Sequence, residues 1–240
     1  MNTYWKTLAG RCIYRSSELE VMQNPVYRWL MFQNHRHLQT VLRRHQPHKP
    51  ALTYLQPFTA ALKAQPGPAC LLGLGGGAIV HMAGPYLQTA VEVNPEVIAV
   101  AKRYFITPPP HHLNLIPQDA HTFVTQCTEQ YQHLLIDIYT ATGFPQSCTH
   151  SDFFSHCKRL LSPNGILALN LVNITQEFAV FNQLRAIFEQ ATLCIPVPSS
   201  ANMIVLASPS KAHLMAMIQN HPTLKRLIWD GIFGYMAKTT

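Results

Sequence analysis

The chain has 240 residues, of which 48% are hydrophobic and 10% aromatic. That is enough for one α/β domain with a sizeable core, and too apolar for a wholly disordered chain. Only 12% of residues are charged, and eighteen basic residues against eleven acids leave a net charge of +7 with thirteen histidines in reserve, so acid should weaken the compact state.

The first fifteen residues lack the apolar run of a secretory leader and carry Trp5, Lys6 and Arg11 instead. No stretch approaches the roughly 20 apolar residues of a membrane helix. A cytoplasmic chain with no membrane partner is the expectation. Residues 1–48 read as a small β-rich appendage, with strand-like pieces at Cys12-Ile13-Tyr14, Leu19-Glu20-Val21-Met22 and Tyr27-Arg28-Trp29-Leu30-Met31-Phe32. Pro47 and Pro50 mark a boundary. From Pro50 to Ala64 the spacing of Tyr54, Phe58, Ala61 and Leu62 predicts a helix.

Residues 49–240 then read as a Rossmann-like, nucleotide-binding domain. Ala69-Cys70-Leu71-Leu72-Gly73 is a short apolar run, as in a strand buried on both faces. Further strands are expected at 88–93, 113–116, 131–137 and 165–171, with a closing antiparallel pair at 192–196 and 203–207. Helices are expected after the glycines to Tyr86, and at 95–104, 120–126, 152–161 and 175–189. This alternation predicts a doubly wound, mainly parallel sheet.

The basic residues are scattered, the densest clusters being the pairs Arg43-Arg44 and Lys225-Arg226, which argues against nucleic acid as a partner. The six cysteines include no C-x-x-C pair, and Cys70 precedes Leu71-Leu72 in an apolar run. Free core thiols fit better than a disulfide framework. With no H-E-x-x-H and no tight Cys/His cluster, no metal site is expected.

Gly73, Gly75, Gly76 and Gly77 sit between a buried strand and a helix, where backbone without Cβ atoms lets a ligand approach a helix N-terminus. Glu92 ends the next strand, nineteen residues after Gly73, where an acid can accept from both ribose hydroxyls. Asp119, before Ala120, follows the third strand and either accepts from an adenine amino group or caps the next helix. Asp137 ends the fourth strand. In a doubly wound sheet these strand ends converge on one crevice.

The glycine loop with these strand-end acids resembles the class I S-adenosylmethionine-dependent methyltransferase fold, a seven-stranded, mainly parallel α/β sheet. More finely, the chain resembles the spermidine synthase family of polyamine aminopropyltransferases, over about residues 10 to 210. The matching segments are Gln39 in Leu-Gln-Thr, Tyr54, Gly73-Leu-Gly-Gly-Gly77, Val91-Glu92-Val93-Asn94-Pro95, Gln118-Asp119-Ala120, Ile136-Asp137 followed by Gly143-Phe144-Pro145, and Leu160 to Gly165. The resemblance implies that Gln39, Glu92, Asp119 and Ala120 line the nucleotide site. It implies that Tyr54 and Asp137 hold and deprotonate an attacking amine, and that the protein is a homodimer without a metal. Four positions depart from the family pattern, each with loss of a group that binds the cationic substrate: Ala78, Gln56, Thr140 and Pro198. Three functions follow as alternatives. They are aminopropyl transfer from decarboxylated S-adenosylmethionine to an amine, methyl transfer from S-adenosylmethionine to another acceptor, and nucleotide binding without catalysis.

Overall fold

The structure is a computed structural model, and it describes residues 10–33, 38–140, 143–172, 178–198, 200–222, 224–229 and 236–237. Four short strands, β1 (Arg11–Arg15), β2 (Leu19–Gln23), β3 (Tyr27–Phe32) and β4 (Leu38–Arg43), form an antiparallel meander in sequence order. Asn24 makes the β2–β3 turn: its Oδ1 accepts from the backbone N–H of Val26 (2.9 Å) and of Tyr27 (2.7 Å), the local bonding that makes asparagine a turn residue.

The second sheet has seven strands in the order β10-β11-β9-β8-β5-β6-β7. They are β5 (Ala69–Leu72), β6 (Leu87–Glu92), β7 (Asn114–Pro117), β8 (Tyr131–Ile136), β9 (Leu161–Leu171), β10 (Thr192–Pro196) and β11 (Met203–Ala207). β7, β6, β5, β8 and β9 run parallel, and β11 and β10 close the sheet antiparallel. The chain builds outward from β5 to β7, then returns to place β8 on the other side of β5. Alternation sorts the central residues between two faces: Ala69 and Leu71 join one apolar cluster, and Cys70 and Leu72 the other. Continuous apolar runs are what a sheet covered on both faces requires. Four of the six free cysteines, Cys70, Cys148, Cys157 and Cys194, are buried.

Three expected elements differ most clearly in their bounds. The helix expected from Pro50 to Ala64 is two short helices, α1 (Leu55–Phe58) and α2 (Ala60–Ala64). Pro57 has no N–H to donate, so it fits only the first turn and the helix cannot begin earlier. Thr59 then breaks the path, its hydroxyl donating back to the Leu55 carbonyl (2.9 Å). The helix expected at 95–104 is regular only as α4 (Pro95–Val100), α3 being Ala78–Ala83. It then widens into a π-turn over Ala101–Phe105, with Ile106 N–H bonded to the Ala101 carbonyl (2.9 Å). The strand expected at 165–171 is longer, because Leu161 already pairs with Tyr131. The register then jumps to Ile166 opposite His133, so 162–165 bulge out around Pro163.

α5 (Ala120–Gln126) has the expected bounds, and α6 (Ser151–Arg159) those of 152–161 within two residues. α7 (Phe178–Ile187) ends before Glu189 and Gln190, whose φ angles of 53° and 65° leave the helical path; residues 175–177 of the expected helix lie outside the described residues. α8 (Lys211–Asn220), capped by Ser210, has no counterpart in the sequence reading.

His133 on β8 is fully buried. Its Nε2 bonds the Gln65 carbonyl at 2.6 Å and its Nδ1 has no partner, so burial pushes its pKa down to about 4. The folded state refuses a proton that the unfolded chain accepts near pH 6.5, so stability present above that pH is lost as pH falls towards 4. Between pH 7 and pH 5 His133 should contribute a loss of about 2 kcal/mol. Urea denaturation of the wild type and His133→Gln at both pH values checks this. The variant is expected to lack that part of the acid sensitivity, whatever its stability at pH 7.

Candidate active site

The site lies where the chain changes direction across the sheet, beyond the carboxyl ends of β5 and β8. The Gly73 N–H donates to the Val91 carbonyl (2.8 Å), and the Asp137 N–H donates to the Leu72 carbonyl (2.9 Å). These bonds carry the strand pairing one residue past each strand and press Gly73 onto the other loop. A Cβ on Gly73 would lie 2.2 Å from the Asp137 carbonyl oxygen, and its φ is +91°. Only glycine fits there.

The rest of the glycine loop is shaped by the N-terminal sheet. Gly76 N–H donates to Thr40 Oγ1 on β4 (2.7 Å). Cβ atoms on Gly75 and Gly76 would meet Thr40 at 2.8 and 2.9 Å. Gly77 takes φ +75° and caps α3 against Ile106. Gln39 is half-buried beside this contact, its backbone carbonyl facing Gly75. Thr40 was not singled out in the sequence, nor was its strand β4 expected; a small β-branched residue carries no signal of a loop 36 residues away.

Glu92 stands at the end of β6, half-exposed. Its Oε2 accepts from Leu74 N–H (3.2 Å) and its Oε1 from Asn94 N–H (3.0 Å). Each oxygen keeps a further lone pair for a hydroxyl donor. Asp119 caps α5: Oδ1 accepts from Thr122 N–H (3.0 Å), and Ser147 Oγ lies 3.5 Å from Oδ2. Ala120 behind it is buried.

Asp137 is the centre of a second group. Tyr54 OH donates to Oδ2 and Asn170 Nδ2 to Oδ1, each at 2.8 Å. Both bonds favour the carboxylate, but the protein packed around it outweighs them and its pKa is raised above the ordinary aspartate value. Burial and the neighbouring carboxylate hold the Tyr54 hydroxyl well above its usual pKa, so it remains a donor. Asn170 is itself tied down: Tyr139 OH donates to its carbonyl (2.9 Å) and Asn202 Nδ2 to its Oδ1 (2.8 Å). Sequence reasoning passed over Asn170, Asn202 and Tyr139. The signal available was a lone asparagine inside the apolar run from Ile166 to Leu171.

The structure therefore joins Tyr54 to Asp137, and Gly73 and Leu74 link Asp137 to Glu92. Of the four departing positions, Ala78 is half-buried at the first residue of α3, while Gln56, Thr140 and Pro198 are exposed. Among the described residues no group of His, Cys, Asp or Glu is arranged to hold a metal ion, and no helix is long and apolar enough to cross a membrane.

Gly73→Ala adds a clash with backbone to a strained φ and should cost roughly 2–4 kcal/mol. Gly84, with φ +57° and open space within 4 Å of where a Cβ would stand, supplies the control in which strain acts alone. Urea midpoints are expected to fall further for Gly73→Ala than for Gly84→Ala; equal losses would deny the close approach.

Comparison with known proteins shows the family and the fold. The spermine/spermidine synthase domain matches residues 71–220. The polyamine aminopropyltransferase of Chromobacterium violaceum is 29% identical over 172 residues, which is 68% of this chain and 64% of that protein. The chain thus spans just under two thirds of the length of that relative. An eEF1A lysine and N-terminal methyltransferase homolog of Drosophila melanogaster is 31% identical over 115 residues, 42% of this chain and 17% of that protein. Among solved structures, a probable spermidine synthase from Corynebacterium glutamicum superposes with a TM-score of 0.70 at 16% identity, over 89% of this chain and 87% of that one. Human methyltransferase-like protein 13 in complex with SAH gives 0.60 at 21% identity, over 76% and 97%. The α/β Rossmann-like, methyltransferase-type fold is common to all of these structures. By the domain match over most of its length, the chain belongs to the spermine/spermidine synthase family.

Proposed function

We propose that the protein is a transferase that binds an S-adenosyl-type sulfonium nucleotide across Gly73–Gly77, Glu92 and Asp119, and passes an aminopropyl group to an amine held at Asp137. The observation that carries this reading is the position of the Tyr54–Asp137–Asn170 group, packed against the glycine loop through Gly73. A base and a nucleotide loop in one crevice are what transfer from a sulfonium requires. One of the solved structures similar to this chain is a spermidine synthase in complex with the transition-state analogue AdoDATO, at 14% identity and a TM-score of 0.68.

The nitrogen lone pair of the acceptor attacks the donor carbon next to sulfur. The carbon–sulfur bond breaks, its electron pair neutralises the sulfonium, and methylthioadenosine leaves. Asp137 Oδ takes the proton shed by the new ammonium, and its raised pKa makes it a stronger base than an ordinary aspartate. Tyr54 orients the carboxylate and the glycine loop orients the donor; positioning supplies most of the acceleration in such a reaction. In this proposal residues 1–48 act as an appendage to the nucleotide domain of 49–240, with Gln39 and Thr40 walling the loop.

The acceptor differs from a polyamine in charge. Ala78, Gln56, Thr140 and Pro198 offer no carboxylate to a second ammonium. A singly charged amine therefore suits the site better than putrescine or spermidine. Methyl transfer from S-adenosylmethionine is the second reading, and Ala78 favours it: a donor that keeps its own carboxylate is not opposed by an acid at that position.

Calorimetric titration with methylthioadenosine, S-adenosylmethionine and its decarboxylated form tests the nucleotide half. Glu92→Ala should lose charge-assisted hydrogen bonds and bind roughly ten- to a hundred-fold more weakly; an unchanged dissociation constant would remove Glu92 from the site. Methylthioadenosine release from the decarboxylated donor tests the acceptor half. Putrescine is expected to be poor and Asp137→Asn inactive. Turnover on putrescine in the usual enzymatic range of roughly 1–10³ s⁻¹ would defeat the argument from missing acids. Silence with every amine beside tight binding of S-adenosylmethionine would favour methyl transfer.

A further inference from the structure

Asn202 lies in the connection between β10 and β11, outside the nucleotide loop and outside every motif that the sequence singled out. Its own backbone N–H donates to Ser200 Oγ (3.3 Å), and a backbone N–H cannot act otherwise. Ser200 Oγ donates its proton to Asn202 Oδ1 and keeps its lone pairs for that backbone N–H. That leaves Asn202 Nδ2 to face Asn170, where it donates to Oδ1 at 2.8 Å. Asn170 Oδ1 is then occupied, and its Nδ2 must be the group turned to Asp137 Oδ1 at 2.8 Å.

The bonds run in one direction, from Ser200 through Asn202 and Asn170 to the Asp137 carboxylate. Tyr139 meanwhile fixes the Asn170 backbone, its hydroxyl donating to the Asn170 carbonyl (2.9 Å) and accepting from Val172 N–H (2.7 Å). A flip of the Asn170 amide is the freedom left, and the two flips are chemically opposite. One presents an NH₂ that favours the Asp137 carboxylate; the other presents an oxygen that tolerates only the protonated acid.

We propose that Asn202 is a positioning residue: through a directed relay from Ser200 it holds the Asn170 amide with its NH₂ towards Asp137, and so keeps Asp137 an ionised proton acceptor. This deepens the proposed function and rests on it for the role of Asp137 as base. The hydrogen-bond relay itself does not depend on that role. The titratable groups facing Asp137 among the described residues are tyrosines: Tyr54, bonded to it from the start of α1, and Tyr139, two residues on and close enough to act on Tyr54. Burial and the neighbouring carboxylate keep the Tyr54 proton in place, so Tyr54 does not set the direction of the relay.

The test reads the protonation of Asp137 directly. The protein is labelled with ¹³C at aspartate carboxyl carbons, the Asp137 signal is assigned by its loss in Asp137→Asn, and its midpoint is followed through a pH titration. Asn202→Leu removes the relay without adding charge, and is expected to raise the midpoint. Asn202→Asp substitutes a group that only accepts, turns the Asn170 NH₂ away from Asp137, and should raise the midpoint further, by about one pH unit or more, the scale of one hydrogen bond to a charged group. Ser200→Ala, which breaks the first link and leaves Asn202 in place, should move it in the same direction by less. Thermal melts confirm that each variant scored is folded. If Asn202→Leu fails to fold, Ser200→Ala decides.

A midpoint unmoved or lowered in the uncharged variants overturns the proposal, and a rise confined to Asn202→Asp overturns it equally, because added charge alone explains that. The underlying reading fails by a different result. If Asp137→Asn turns over as fast as wild type, Asp137 is not the base, whatever its carboxyl midpoint does in the Asn202 variants. With turnover in hand, the acid limb of the pH–rate profile should shift upward in parallel with the carboxyl midpoint, while KM for the nucleotide stays constant.

Discussion

The contact between Gly73 and the Asp137 carbonyl is the constraint on which the rest of the site depends. Two parallel strands, β5 and β8, carry their pairing past their last residues, and the loops beyond are forced to within van der Waals reach. A side chain at residue 73 would separate them. Because one loop leads to the glycines and the other begins with the carboxylate, closeness of backbone becomes closeness of chemistry. The topological switch of a doubly wound sheet opens such a crevice in general; the missing Cβ at residue 73 sets how narrow it is here.

The N-terminal sheet belongs to this geometry. Thr40 fills the space that Cβ atoms on Gly75 and Gly76 would occupy and takes the Gly76 N–H. The loop therefore holds its shape by hydrogen bonding to a strand that precedes the nucleotide domain in sequence. Electrostatics divides the crevice in two. Around Glu92 the partners are backbone N–H groups, which leave the carboxylate oxygens lone pairs to spare for neutral hydroxyls. Around Asp137 they are a phenol and an amide, which hold a carboxylate in place without neutralising it.

Much of this was legible in the sequence, for physical reasons. Short apolar and alternating runs marked the strands of both sheets within a few residues, β4 excepted, because a core between two covered faces admits few other patterns. The glycines, Glu92 and Asp137 were legible because strand-end chemistry is local. The start of α1 was misread by five residues: apolar spacing dominated the reading, whereas the missing N–H of Pro57 decided the outcome. Asn170, Asn202 and Thr40 were missed because each acts on a partner more than thirty residues away, and a neutral amide or hydroxyl has no spacing rule to announce it. The cap role of Asp119 could be anticipated only as one of two, since the same residue type serves both purposes at a helix start.

The claim that the glycine loop, Glu92 and the Asp137 loop form one nucleotide crevice is tested most directly by amide hydrogen exchange with and without saturating methylthioadenosine. Exchange should slow together in peptides covering 73–78, 92–94 and 137–139, with peptides from the far edge of the sheet, at β10, unchanged. Protection absent from all three segments, or confined to a surface distant from them, would contradict the account.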